Sequence, residues 1–150
     1  MATRQDFQIA QDIIRFVNIV NDLLDVTSFM MRELDADGAS LVDNDGNPYT
    51  FQMIKDRMIR VRQNILNYWS MIDIFITTYG TAKVVTALNC VGVSATVVKQ
   101  ELDNIKDVIN YVSTNMAGLT EKYELIPLAD YIDENTNKLP LVRRSWCLGL

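Results

Sequence analysis

Apolar residues recur along the first two thirds of the chain at alternating intervals of three and four. Ala10, Ile13, Val17, Val20, Leu24, Thr27, Met31 and Leu34 form one such track, with Ile9, Phe16, Leu23 and Met30 as a second stripe beside it. That period predicts an amphipathic helix from about Thr3 to Leu34. Thr3 and Asp6 are spaced as a capping box in which Asp replaces the usual Glu or Gln. Two adjacent stripes make a face wider than a two-stranded seam, which suits a helix with two or more neighbours. Asp12, Asn18, Asn21, Asp22 and Asp25 fall mainly on the other side.

The pattern resumes at Phe51, Ile54, Met58, Val61, Ile65, Tyr68, Ile72, Phe75 and Tyr79, predicting a second helix closed by Gly80. A third track runs through Thr81, Val84, Leu88, Val91, Ala95, Val98, Leu102, Ile105, Ile109, Val112 and Met116, ending at Gly118. Gly92 and the β-branched residues around it weaken helix propensity there. Two helices, 81–90 and 94–116 with Ser94 as N-cap, are the alternative to one. With Gly80 as the whole connection, the second and third helices must either fold back sharply or run on through a kink. The expected fold class is all-α: three long amphipathic helices, in an antiparallel bundle or in coiled-coil-like packing shared between copies.

Between the first two helices, Leu41-Val42 and Tyr49-Thr50-Phe51 flank Asn44-Asp45-Gly46-Asn47, which predicts a small β-hairpin insertion at about 35–50. Its acidic residues do not fit a calcium loop. Placing Gly46 at the loop glycine puts Leu41 at the first ligand position, and placing Gly38 there puts Asn44 where a bidentate Glu belongs. After residue 118 the period is lost. The organisation expected is a helical bundle over 1–118 and a mostly extended tail over 119–150, marked by Leu125-Ile126-Pro127-Leu128 and Leu139-Pro140-Leu141-Val142. A short helix over Pro127 to Glu134 is the exception.

A net charge of −5 with a pI near 4.6 argues against a general nucleic-acid binder, since an acidic body repels phosphate. The one basic cluster, Lys55, Arg57, Arg60 and Arg62, is expected to pair with the acidic side of the first helix or with Glu121, Glu124, Asp130, Asp133 and Glu134 of the tail. Aromatic residues do not interleave with it as a base-stacking surface needs. Two cysteines, Cys90 and Cys147, do not make a disulfide framework and fit a reducing or an indifferent compartment. The absence of His removes the commonest general base and transition-metal ligand, so no metal site and no cofactor is expected. Met1 to Phe16 lacks the pattern of a secretory leader. The longest uncharged stretch, Val84 to Val98, falls short of a membrane span.

No phosphate-binding glycine loop, nucleophile elbow or dinucleotide fingerprint is present, and no catalytic residue is assigned. The expectation is a non-enzymatic structural or assembly protein that binds other chains, as a homo-oligomer or within a hetero-complex. In overall character it resembles small virion components of tailed bacteriophages, such as neck, tail or baseplate parts. That resemblance implies a protein made in the cytoplasm and carried in the virion. The alternative is a small acidic helical regulator or inhibitor that binds one partner protein. The candidate partner-binding residues lie at the end of the chain: Leu139, Leu141, Val142, Arg143, Arg144, Trp146, Leu148 and Leu150. So apolar a segment needs cover, on another chain or on the protein's own bundle.

Overall fold

In a computed structural model, which describes residues 3–35, 41–140, 142–143 and 147, helix α1 spans Arg4–Asp35. Its start is the capping box read from sequence. The Asp6 amide donates to Thr3 Oγ1 at 3.2 Å while Asp6 Oδ2 accepts from the Thr3 amide at 2.9 Å. The whole first track, from Ala10 to Leu34, is buried, and Ile9 and Met30 of the second stripe join it. Phe7 and Ile14 are also in the core, so the buried face is wider than the two stripes.

Helix α2, Phe51–Tyr79, is capped by Thr50, whose hydroxyl accepts from the Met53 amide at 3.2 Å. Its inner residues Ile54, Met58, Val61, Ile65 and Ile72 are buried. Gly80 takes φ +86°, where a Cβ would be strained, and donates its N–H to the Ile76 carbonyl at 3.0 Å. The chain bends there by 102° into helix α3, Thr81–Cys90. A second break follows at Gly92, with φ +74°, where the Val93 amide caps the Leu88 carbonyl at 3.0 Å. Helix α4 is Ala95–Ala117. The third apolar track therefore belongs to two helices, although Ser94 at the N-cap makes no side-chain capping bond.

The expected β-hairpin is corrected. The described residues contain no β-strand: residues 41–49 form a turn with a single antiparallel bridge, Val42 to Pro48. Asp43 Oδ1 gathers the N–H groups of Asp45 and Asn47, each at 2.9 Å, so a side chain holds the turn. Pro48 has no N–H with which to extend a ladder. The short helix expected within the tail over Pro127 to Glu134 is present and slightly longer. A 3-10 turn, Lys122–Glu124, leads into helix α5, Leu125–Asn135, with Pro127 in its first turn and Leu125, Leu128, Ala129 and Ile132 buried. Helix α1 packs against α2, α3, α4 and α5, while α4 packs against both α2 and α5. Among the described residues no single helix is long and apolar enough to cross a membrane.

Asp6 also ties α1 to α3, because the Lys83 ammonium sits 2.7 Å from Asp6 Oδ1. That ammonium first, and the Thr3 backbone N–H next, hold the Asp6 carboxyl below its ordinary value of 3.8 despite its burial. The unfolded chain then takes up this proton at higher pH than the folded one. The stabilisation is complete above about pH 4 and is lost as pH falls through the lower folded-state value. Asp6→Asn removes it, so the variant's melting temperature should fall less steeply below about pH 4 than the parent's in a calorimetric pH series. Ile65 and Ile105 are both fully buried. Changing either to Ala should lower unfolding free energy by ~2–5 kcal/mol in denaturant titrations, and an unmoved midpoint would refute the core assignment of that helix.

Candidate functional site

The polar residues of α1 define the geometry of the tail. Asn18, Asn21, Asp22, Asp25, Ser28 and Arg32 follow the helical period and lie on one face. That face is covered by residues 129–139. The Asn18 side chain meets the Leu139 peptide unit from both sides, its Nδ2 donating to the Leu139 carbonyl at 2.9 Å and its Oδ1 accepting the Leu139 N–H at 2.8 Å. Asn21 Nδ2 donates to the Asn137 carbonyl at 2.9 Å, and the Asn137 N–H donates to Glu101 Oε1 of α4 at 2.9 Å. Glu101 is buried, and it uses its carboxylate to anchor the tail.

Charges complete this strip. Arg32 reaches both Asp130 and Asp133 of α5 at 2.7 Å, contacts that hold its guanidinium above its ordinary value, Asp130 contributing most. Ser28 Oγ donates to Asp133 Oδ1 at 2.8 Å. Lys138 bridges Asp22 and Asp25, and its ammonium pKa is raised by Asp22 first and Asp25 second. On the opposite side of α5, Tyr131 stacks on Tyr111 of α4 with ring centroids 4.1 Å apart.

The structure thus places the described part of the predicted partner-binding segment on its own chain. Leu139 is buried in the core, Val142 is half-buried against it, and Arg143 is exposed. Leu141, Arg144, Trp146, Leu148 and Leu150 lie outside the described residues. Leu139 and Val142 thus have cover on the protein's own bundle, one of the two covers expected for this segment: Asn18 holds the Leu139 backbone, and both side chains lie against the core. Cys147 forms a disulfide with Cys90 at the end of α3, the Cα atoms being 4.7 Å apart. The two cysteines, too few for a disulfide framework, are joined across 57 residues of sequence.

The basic cluster differs from expectation as well. None of Lys55, Arg57, Arg60 and Arg62 makes an ion pair with a described carboxylate. Four of the acids expected to receive them are engaged elsewhere, Asp130 and Asp133 by Arg32, Asp22 and Asp25 by Lys138. Among the described residues no group of three or more His, Cys, Asp or Glu side chains is placed to hold a metal ion.

What remains open on this scaffold is a groove between α1 and α2 of about 450 Å³. Ile19 and Leu23 line one wall, Tyr68 and Met71 the other, with Asn64 and Asn67 along the rim. Ile19 is 40% and Met71 51% exposed, and Val26, one heptad beyond Ile19, is 47% exposed. No sequence signal separated these residues from the buried tracks, because they share the helical period and differ only in which side is covered. The chain matches no protein-family model, no curated protein sequence and no solved structure.

The tail clasp is testable in one residue. Asn18→Ala leaves the Leu139 N–H and carbonyl without partners in a partly buried setting, which should lower stability by about 1–3 kcal/mol. Hydrogen exchange should then show faster opening of residues 136–140 than of α2. Equal protection of that segment in variant and parent would show that the clasp does not hold it.

Proposed function

We propose that this chain is a non-enzymatic assembly subunit that associates with a second copy of itself through the α1–α2 groove, within a larger protein complex. The observation that carries the proposal is the exposure of Ile19 and Met71 on facing walls of one groove between the two longest helices. Side chains of this size sharing a concave surface favour association, because burying them removes apolar area from water. Heptad spacing of Ile19 and Val26 suits helix-on-helix packing, and a twofold pairing would set each groove against its own copy. The neck, tail or baseplate of a phage particle is the setting in which we place such a subunit, on overall character.

One observation favours the regulator or inhibitor instead. The tail closes on its own bundle through Asn18, Asn21 and Lys138, which makes the fold self-contained and suits a monomer that meets a single target. Solution mass separates the two. Light scattering after size exclusion should give a dimer or a higher defined oligomer for the parent. Ile19→Glu with Met71→Glu should reduce it to the monomer with helicity unchanged by circular dichroism. A monomeric parent across micromolar concentrations would favour the regulator.

A further inference from the structure

A second groove, between α2 and the C-terminal half of α4, has a volume of about 620 Å³ and a different chemistry. Its floor is apolar and rich in methionine: Met58 and Met116 are buried beneath it, and Ile59 stands 70% exposed within it. Lys55 and Arg62 line it two helical turns apart, ~10 Å along the axis of α2. Arg60 adds a third cation, whereas Arg57 is not among its lining residues. No described carboxylate neutralises any of the three. In a chain of net charge −5, in which Asp22, Asp25, Asp130 and Asp133 pair with Lys138 and Arg32, this is an uncompensated basic lip.

The lip is positioned by the fold. Lys55 Nζ donates to the Leu119 carbonyl at 2.8 Å and lies 5.1 Å from the Phe51 ring centroid, so the ammonium is held in place with donors to spare. Arg62 makes only a long contact to Asn110 Oδ1 at 3.3 Å, which leaves most of its guanidinium free. The opposite wall carries Ser113, whose Oγ is buried and has no hydrogen-bond partner. Other helical hydroxyls of this chain behave differently. Those of Thr77, Thr78 and Thr86 turn back to the carbonyl four residues earlier at 2.8, 2.8 and 3.0 Å. A buried hydroxyl left without such a bond lacks a partner that a ligand can supply.

We infer that this groove binds an acidic amphipathic helix of a partner protein, with aliphatic side chains on the methionine floor and carboxylates on Lys55, Arg60 and Arg62. Carboxylates two turns apart on such a helix match the spacing of Lys55 and Arg62. Methionine floors adapt to aliphatic side chains of varied shape. Nucleic acid would offer the same negative charge, but no aromatic residue lines the groove to stack a base. The site shares no lining residue with the α1–α2 groove and does not depend on self-association.

The probe is a fluorescein-labelled synthetic helix of two heptads built from Leu, Glu and Ala, titrated into the full chain by fluorescence anisotropy. Controls are the same peptide with every Glu replaced by Lys and an oligothymidylate of similar charge. The acidic helix should bind with an affinity that falls as salt rises, and amide shifts in NMR spectra should cluster in residues 52–63 and 113–117. Arg60→Gln with Arg62→Gln should weaken binding by about tenfold or more, these being rim positions that leave the core intact. Ile19→Glu should leave it unchanged, which keeps this result separate from the oligomer question. If the acidic helix does not bind, if the lysine helix or the oligothymidylate binds as tightly, or if the double variant retains parent affinity with native circular dichroism, the inference is overturned.

Discussion

Every other helix of this fold touches α1, and that single constraint organises the rest. A helix surrounded in this way shares its polar face between water and protein, Asp22 and Asp25 staying about half exposed. Its apolar tracks are covered by α2, α3 and α4, and its polar strip is covered by the chain's own tail. Burying that strip would be unfavourable if its groups lost water without replacement. The tail supplies most of the replacement: peptide units for Asn18 and for the Asn21 amide N–H, an ammonium for Asp22 and Asp25, carboxylates for Arg32, while Asn21 Oδ1 is left without a partner. Helix α5 and the segment after it are therefore matched to α1 in register, since a slip of one residue would separate these partners together.

The apolar half of this design could be read along the chain and the polar half could not. Every residue of the α1 track from Ala10 to Leu34 is buried, and the capping box of Thr3 and Asp6 has the geometry its spacing announces. Gly80 and Gly92 mark the two breaks because a positive φ leaves a trace in residue type. Asn18, Asn21 and Asp22, by contrast, were set on the outer side of the helix. Periodicity sorts residues into apolar and polar faces, but it does not say whether a polar face meets water or another part of the protein. That depends on long-range pairing, which has no period. The same gap explains why the sequence left the cover of Leu139 and Val142 open between another chain and the protein's own bundle, and why it did not pair Cys90 with Cys147.

Charge shows the limit from the other direction. A net value of −5 suggested an acidic molecule in which a few cations would find acids nearby. The fold uses those acids to hold α5 and Lys138 in place, and the cations of α2 are left facing an open groove. Net charge is a sum, whereas recognition depends on what remains after internal pairing. Both candidate grooves follow from this distinction. One is formed by apolar residues that no helix covers, the other by basic residues that no carboxylate neutralises, and neither set differs in composition from its buried counterparts.

The bond between Cys90 and Cys147 joins positions 57 apart and makes the intervening chain, including all of α4 and α5, a closed covalent ring. A protease that cuts once inside that ring opens it without releasing a fragment, so the nicked protein keeps its mass until the sulfurs are reduced. A cut before residue 90 separates the two pieces of chain covalently, leaving only packing to hold them. The molecule is therefore unequally protected against a single cleavage: its second half survives as one connected body, while the turn at 41–49, which joins α1 to everything else, lies outside the ring.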